Sequence, residues 1–258
     1  MSAPLLFPFE AGNEPETTLK WIQSYYPFTY PIAIVYLLLI WVLQRWMRSL
    51  SPYRLTVALF VWNAGMAAFS AVGAIRINEE LIRVASGSGF HATICSNSYL
   101  YDPITNYWSY LFVVSKIVEL GDTIFLVLRK KPVRFIHWFH HAIVVPFSAY
   151  GVGGLMSTGR WFGGLNYFVH TIMYTYFALT TLGFAFARFV PLFITSLQVL
   201  QMFLATFATF WTLFALMVGL DCDVTPTNAS VSSAVYLFFV ILFLKYFLGS
   251  LKQRSKRE

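Results

Sequence analysis

Residues Lys116–His141 have the sequence KIVELGDTIFLVLRKKPVRFIHWFHH, in which charged residues and histidines are concentrated within an otherwise apolar chain. Its first half places Lys116, Glu119 and Asp122 inside an otherwise apolar run. Its second half contains four basic residues between positions 129 and 134 and ends in three histidines with H-x-x-H-H spacing. Ionisable side chains are costly at membrane depth, and those found there usually serve function. The stretch therefore predicts a polar site buried in a membrane.

The composition of the whole chain agrees with a membrane location. Of its 258 residues, 58% are hydrophobic and only 11% are charged, whereas a soluble domain carries about 25% charged residues. No internal repeat and no separate polar domain interrupts the apolar pattern. We therefore predict an all-α polytopic membrane protein that forms a single domain over residues 1–258.

Seven apolar runs each approach the ~20 residues that a helical membrane crossing needs. They predict about seven transmembrane helices enclosing a central cavity. A polar segment between the second and third runs, from Arg76 to Pro103, is predicted to be a loop because it contains Gly87, Ser88 and Gly89. The predicted spans run from about Pro31 to Met47, Leu55 to Ile75, Ile104 to Leu128, Phe135 to Val152, Trp161 to Gly183, Val190 to Val218 and Val231 to Gly249.

The net charge of +7 is explained by membrane topology rather than by nucleic-acid binding, and we expect no nucleic acid as a partner. With seven spans, twelve lysines and arginines fall on one side of the bilayer and four on the other. The positive-inside rule then assigns the C-terminus to the cytosol and the N-terminus to the lumen. The basic C-terminal tail resembles a retrieval signal for the endoplasmic reticulum, although an ordinary positive flank would have the same composition.

The two cysteines of the chain, Cys95 and Cys222, both fall on the lumenal side in this topology. An oxidising lumen would permit a disulfide between them, and two unrelated free thiols remain the alternative.

Four predicted spans carry a polar face. His137, His140 and His141 stand at i, i+3 and i+4, so one helical face presents all three. Polar faces of this kind in several spans predict one enclosed site. The other members are Lys116, Glu119 and Asp122 in the third span, Asn166, His170 and Tyr174 in the fifth, and Thr195, Gln198 and Gln201 in the sixth.

Three kinds of chemistry suit such a histidine cluster. A di-iron cage of roughly eight ligands needs more than the five histidines of the chain can supply, but a single zinc in a hydrolase or oxidoreductase remains an alternative. A lipid or proton-coupled transporter could use the histidines as a proton relay. The interpretation that requires the fewest groups is covalent catalysis, in which one neutral imidazole is the nucleophile and another is the base.

Four motifs in order resemble those of the very-long-chain fatty acid elongases, which are membrane 3-ketoacyl-CoA synthases. The motifs are K-x-x-E-x-x-D-T from Lys116, H-x-x-H-H from His137, N-x-x-x-H-x-x-M-Y-x-Y from Asn166 and T-x-x-Q-x-x-Q from Thr195. The sequence around these motifs is most similar to sequences of the family branch that acts on saturated and monounsaturated long-chain acyl groups. One departure is Phe177, where the family usually has a second tyrosine after Tyr176.

The resemblance implies roles for the histidines and for Asp122. The chain would condense a long-chain acyl-CoA with malonyl-CoA to a 3-ketoacyl-CoA two carbons longer, in a ping-pong cycle through an acyl-imidazole on His140. His141 and His170 would act as base and as oxyanion or enolate stabilisers, with His137 in the same cluster. Asp122 would orient a histidine of the H-x-x-H-H motif, which we call the histidine box (His137, His140 and His141).

The same resemblance implies the binding groups and partners. Lys116 and Glu119 would form a buried pair, and Arg129, Lys130 and Lys131 would line a cytosolic mouth for CoA. We expect the endoplasmic reticulum membrane as the location, no metal or other cofactor, and the other enzymes of the elongation cycle as partners. The sequence leaves the preferred acyl length and the oligomeric state open, a homo-oligomer included. The remaining predicted substrate-binding residues are Asn166, Tyr174, Gln198 and Gln201.

Overall fold

The structure is a computed structural model that describes residues 7–10 and 12–255, with side chains described as far as Lys252. All regular secondary structure in these residues is helical, so the predicted all-α class is confirmed. The basic tail after Lys252 lies outside the described side chains. The helices are α1 (Pro15–Tyr25), α2 (Thr29–Trp46), α3 (Thr56–Cys95), α4 (Pro103–Val118), α5 (Gly121–Leu128), α6 (Phe135–Gly153), α7 (Gly159–Thr181), α8 (Val190–Met217) and α9 (Pro226–Ser255).

Four helical segments of the described chain are long and apolar enough to cross a membrane. Large apolar side chains on their surfaces are exposed, as expected where lipid rather than protein covers a helix. The protein is therefore a multi-pass membrane protein, while the count of seven spans stays a prediction. The four segments are Pro15–Ser49, Thr56–Cys95, Val190–Met217 and Pro226–Lys252.

Six helices form a closed ring through their contacts. In order around the ring, α4 packs on α3, α3 on α7, α7 on α8, α8 on α9, α9 on α6, and α6 again on α4. Helix α2 lies outside the ring and packs against α5 and α6. The motif-bearing helix α4 packs against α6 within the ring and also contacts α7, so one helix connects the other two, as a shared site requires.

The predicted loop between Arg76 and Pro103 is wrong over most of its length, because α3 continues as far as Cys95. Two charged residues of this segment, Arg76 and Glu80, are tolerated in the helix interior because they have buried partners. Arg76 donates two hydrogen bonds of 2.8 and 2.9 Å to Glu10, and Glu80 pairs with Arg160 at 3.3 Å. Among the predicted turn residues only Gly89 leaves helical geometry, with φ +82°, a value that glycine adopts without steric cost.

The predicted third span is not one continuous helix. Helix α4 ends at Val118 and α5 begins at Gly121. Around Glu119 and Leu120 the backbone makes bonds of the i→i+3 type, from Leu120 N to Ile117 O and from Asp122 N to Glu119 O. This tightening belongs to a 3₁₀ turn. Glu119 and Asp122 therefore do not share a regular helical face, and each meets different neighbours.

Cys95 and Cys222 are joined by a disulfide bond between the end of α3 and the segment that precedes α9. The same segment is tied down by a backbone bond of 2.7 Å from Asp223 N to Cys95 O. His91 reaches it as well, with Nε2 2.8 Å from the Asp221 carbonyl oxygen. We call this region the disulfide end of the bundle.

Removal of the disulfide by Cys95→Ala with Cys222→Ala is expected to lower the free energy of unfolding by about 2–4 kcal/mol, because the bond closes a long loop in the unfolded chain. The two cysteines are 127 positions apart. Thermal unfolding in detergent checks this. A reductant should bring the wild-type midpoint to that of the double variant and leave the variant unchanged; equal midpoints without reductant would contradict the prediction.

Candidate functional site

The three box histidines lie on the face of α6 that is turned toward the other motif helices. The ring of His141 is 4.6 Å from the ring of His137 and 5.5 Å from that of His140, measured between centroids. The i, i+3, i+4 spacing brings them together because residues three and four apart are neighbours on a helix surface. His141 is buried, whereas His137 and His140 are partly buried.

Four side chains from α4, the turn after it and α7 form a closed circuit of polar contacts. Lys116 Nζ donates to Glu119 Oε1 at 2.6 Å and to Asn166 Oδ1 at 2.7 Å. Asn166 Nδ2 lies 3.1 Å from His170 Nε2. His170 Nδ1 closes the circuit at 3.5 Å from Glu119 Oε1. The lysine and glutamate side chains are only 1% and 2% exposed, so this is a desolvated ion pair.

The circuit determines the orientation of His170. The Lys116 ammonium is a donor only, so the Asn166 oxygen must face it and the Asn166 amide NH₂ must face His170. His170 Nε2 then accepts a hydrogen bond, and its Nδ1 faces a carboxylate. A carboxylate in that place holds an imidazole ring in one orientation, as in other carboxylate–histidine pairs. Glu119 is therefore the carboxylate that holds His170, a histidine outside the H-x-x-H-H motif.

Asp122 has other partners. Trp62 Nε1 donates to Asp122 Oδ1 at 2.6 Å, and Tyr174 Oη donates to Oδ2 at 2.6 Å. Among the described residues no histidine hydrogen-bonds to Asp122, so the predicted contact with the box is wrong. Its neighbour Gly121 allows Trp62 to approach, because a Cβ there would lie 2.6 Å from the indole. Asp122 thus ties α3, α5 and α7 together next to the histidines.

His137 is held by a residue of the first motif, Thr123, whose Oγ1 lies 2.9 Å from His137 Nε2. Thr123 is also 2.7 Å from the hydroxyl of Tyr36 on α2. Tyr36 and Trp62 were both missed by the sequence analysis. The signal that could have found them is an aromatic side chain with a polar tip well inside an apolar span rather than at its interface end, where such residues normally gather.

Unlike His137, but like His141, His140 has no hydrogen-bond partner in the part of the chain that the structure describes. Its ring instead packs against two phenylalanines of α9, with centroids 5.1 Å from Phe239 and 5.5 Å from Phe243. His141 Nδ1 is buried and also unpartnered. Of the two, His140 is the more accessible, so its nitrogens are the freest to react with a group that enters the site.

A narrow apolar cavity begins one helical turn from these polar groups. Phe112 and Val144 line it, and they precede Lys116 and follow His140 by four residues on α4 and α6. The Lys116 ammonium lies 4.5 Å from the centroid of the Phe112 ring. The cavity extends toward the disulfide end, where Tyr99 and Met156 line it. An apolar chain could therefore lie in the cavity while its polar end stays at the histidines.

The predicted residues of α8 and the basic segment lie apart from this network. Gln198 Nε2 is 3.3 Å from Met173 Sδ of α7, and Gln201 is buried, but neither hydrogen-bonds to a histidine within the described chain. Lys130 and Lys131 are exposed and Arg129 is partly exposed in the connection between α5 and α6. These three cations stand where α6 begins, so they flank the histidine end of the bundle.

Metal ligation was the alternative left open by the histidine spacing. Among residues 7–10 and 12–255, no group of three or more His, Cys, Asp or Glu side chains is arranged to hold a metal ion. His170, Asn166 and Glu119 Oε1 are engaged with one another and with Lys116, while Glu119 Oε2 is buried without a hydrogen-bond partner.

Comparison with known proteins places the chain in a family. A family model described as ELO, the GNS1/SUR4 family, matches residues 21–258. Very long chain fatty acid elongase 6 of Drosophila melanogaster is 36% identical over 245 residues, covering 94% of this chain and 78% of the relative. Human very long chain fatty acid elongase 3 is 35% identical over 225 residues, covering 87% and 83%. Human very long chain fatty acid elongase 6 is 30% identical over 256 residues, covering 98% and 96%. With its membrane helices and buried histidine site, the chain belongs to the GNS1/SUR4 (ELO) family of fatty acid elongases and acts in fatty acid elongation.

Proposed function

We propose that this protein condenses a long-chain acyl-CoA with malonyl-CoA to give a 3-ketoacyl-CoA two carbons longer, releasing CO₂ and CoA. The observation that carries the proposal is an unpartnered imidazole, His140, one helical turn from Val144, which lines an apolar cavity. A carrier nucleophile and a place for an acyl chain are the two things that the first half of such a condensation requires. Neither Cys95 nor Cys222 can be the carrier, because the two are joined in a disulfide.

In the first half-reaction, a His140 nitrogen attacks the thioester carbonyl. The C–S bond breaks, and CoA leaves as the thiol with the imidazole proton. In the second, malonyl-CoA loses CO₂, and the resulting enolate attacks the acyl-imidazole carbonyl. A carbon–carbon bond forms, the carbon–nitrogen bond breaks, and the released imidazole nitrogen takes up one proton from the solvent. Two half-reactions through a covalent intermediate replace one difficult step by two easier ones.

The surrounding groups suit the charges that develop in this cycle. His170 has no free N–H, because Asn166 and Glu119 engage its two nitrogens. The second amide N–H of Asn166, which Lys116 and His170 hold in place, is the donor that would stabilise an oxyanion or enolate without reorganisation. His141, with a buried free nitrogen, is placed to take or return a proton. The scheme uses only these side chains and needs no metal or other cofactor.

The two ends of the substrate have different environments available. The exposed Lys130 and Lys131 carry charge that would attract the phosphates of CoA. The acyl chain would extend away from them through the cavity toward the disulfide end. We further propose that the basic end faces the cytosol and the disulfide end faces the lumen of the endoplasmic reticulum, where an oxidising environment keeps the disulfide intact. The other enzymes of the elongation cycle are proposed as partners.

Gly163 provides a test of the acyl cavity. It lines the cavity, and a Cβ built on it would meet nothing within 4 Å. We expect Gly163→Leu to fill the cavity without disturbing the backbone and to shorten the longest product by about two to four carbons, since each buried methylene is worth about 0.8 kcal/mol. Product chain lengths measured by mass spectrometry check this.

The matched control is Gly65→Leu. Gly65 is an exposed helical glycine with nothing within 4 Å of its built Cβ. It makes the same change of residue on α3 without entering the cavity, and it should leave product lengths unchanged. Identical product lengths for Gly163→Leu and wild type would mean that the acyl chain does not occupy this cavity.

The reaction itself is tested with purified protein, labelled malonyl-CoA and a long-chain acyl-CoA. We expect a labelled 3-ketoacyl-CoA and the release of one CO₂ per product. A transporter would move label across a vesicle membrane and yield no condensation product. A hydrolase would release free fatty acid without incorporating label. Either of these outcomes, in place of the ketoacyl product, would overturn the proposal.

A further inference from the structure

We propose that Tyr36 of α2 is a positioning residue of the site, which acts through Thr123 to determine the nitrogen of His137 that carries the proton. The inference rests on the proposed function for its catalytic consequence, although its structural content stands on geometry alone. None of the four motifs includes Tyr36, and α2 contributes no other group to the site described above.

The three groups form a chain of hydrogen bonds across α2, α5 and α6. Tyr36 Oη is 2.7 Å from Thr123 Oγ1, and Thr123 Oγ1 is 2.9 Å from His137 Nε2. Tyr36 is 4% exposed and Thr123 is 0% exposed, so water does not compete with these bonds. The packing of α2 against both α5 and α6 holds the three groups in line.

Which group donates in each of these two hydrogen bonds follows from the hydrogen atoms that the three side chains carry. Tyr36 has no other acceptor within the described residues, and an unpaired buried donor costs about 1–3 kcal/mol. Its hydroxyl therefore donates to Thr123. The Thr123 hydroxyl hydrogen must then find a different acceptor, and His137 Nε2 is the one within reach. Since a neutral imidazole carries one proton, His137 is protonated at Nδ1.

The consequence lies in the next ring. The His141 ring lies 4.6 Å from the His137 ring at an interplanar angle of 57°, and His141 has a buried nitrogen without a partner. When His137 keeps one tautomer and one orientation, the electrostatic surroundings of the neighbouring His141 ring stay the same. A group that transfers protons in a site without water requires such fixed surroundings. Without Tyr36, the Thr123 hydroxyl can turn to a carbonyl of its own helix, as helical threonines commonly do, and the constraint on His137 is lost.

The test uses Tyr36→Phe, which removes one oxygen, together with Thr123→Val and the conservative Thr123→Ser. In ¹⁵N-histidine spectra, with His137 signals assigned by their loss in His137→Ala, wild type should show a protonated Nδ1 and an unprotonated Nε2. Tyr36→Phe and Thr123→Val should give a mixture of tautomers, and Thr123→Ser should retain the wild-type pattern. We expect kcat to fall about threefold to tenfold in the first two variants, the worth of one hydrogen bond, with KM for acyl-CoA unchanged.

Tyr150→Phe is the matched control, because it removes a tyrosine hydroxyl that donates at 2.5 Å to Asn228 on α9, outside the site. It should change neither the His137 spectrum nor kcat. The kcat of the double variant Tyr36→Phe with Thr123→Val should be no lower than that of Thr123→Val alone, because both substitutions act through the same series of hydrogen bonds. A wild-type His137 protonated at Nε2, or a Tyr36→Phe spectrum identical to wild type, would overturn the inference.

The spectra separate this inference from the proposed function. The tautomer of His137 is measured on resting protein and does not depend on turnover. If the predicted tautomer is present and shifts in Tyr36→Phe while wild type forms no 3-ketoacyl product, the hydrogen-bond chain stands and the condensation proposal falls. If wild type forms the product and the tautomer does not respond, Tyr36 is not the positioning residue.

Discussion

Replacement of His140 by alanine is expected to abolish covalent acylation of the protein and to lower the rate of condensation by at least ~10³-fold, as the loss of a nucleophile does in other enzymes of covalent mechanism. The wild-type protein, incubated with acyl-CoA alone, should gain the mass of one acyl group. The reason lies in the structure: His140 is the more accessible of the two H-x-x-H-H histidines that make no hydrogen bond in the described chain, while His170 is engaged at both nitrogens. Intact-protein mass spectrometry before and after addition of malonyl-CoA measures the adduct and its disappearance.

The control for this experiment is His91→Ala. His91 lies at the disulfide end, where its ring contacts Trp211 and the Asp221 carbonyl, far along the chain from the box. This variant should retain the adduct. An unmodified wild type that nevertheless forms product from both substrates would contradict the two-step scheme. An adduct that persists in His140→Ala would assign the carrier role to another residue, of which His141 is the first to test.

The second large effect is expected at the buried ion pair of Lys116 and Glu119. Lys116→Met leaves a carboxylate 2% exposed without its ammonium partner. Leaving one charge of a buried pair uncompensated costs about 3–5 kcal/mol. We therefore expect a large fall in the thermal midpoint in detergent, together with loss of activity, because Asn166 and His170 lose the group that orients them. Addition of Glu119→Gln to Lys116→Met should recover most of the lost stability, since both charges are then absent, but should not recover activity.

Arg83→Met serves as the matched control, because it breaks an ion pair in which the arginine side chain is 51% exposed. Exposed pairs are worth at most about 1 kcal/mol, so its midpoint should lie close to wild type. The prediction fails if Lys116→Met is as stable as Arg83→Met. It also fails if the double variant is less stable than either single variant, since the two charges would then not be coupled.

The motif residues were predictable because, in each span that carries a motif, polar residues recur at helical spacing within an apolar run. The spacing of His137, His140 and His141 requires one helical face whatever the rest of the fold does. Several apolar spans were located close to the observed helices for the same reason; α6 and α8, for example, begin at the predicted Phe135 and Val190. Composition alone predicted a helical membrane protein, because the backbone must satisfy its own hydrogen bonds in lipid.

The errors concern partners that are distant in the sequence. Arg76 and Glu80 looked like loop residues because a charge in a span is unfavourable alone. Their counterparts, Glu10 and Arg160, lie 66 and 80 positions away in the sequence, and no local pattern connects them. Asp122 was paired with the wrong side chain for a related reason. A tightened turn at Glu119 rotates α5 relative to α4, and the indole of Trp62 takes the position that a histidine was expected to hold.

The sequence by itself determined the class of the protein, the helices that carry polar faces and the family to which the motifs belong, because these depend on composition, spacing and the order of motifs along the chain. The tertiary structure decided which polar groups meet. Only packing brings α2 and α3 to the histidines, closes the Lys116–Asn166–His170–Glu119 circuit and leaves His140 without a partner. The physical reason is that a buried donor or acceptor must be satisfied by whatever group the fold brings within about 3 Å, and that neighbour is set by the packing of the helices.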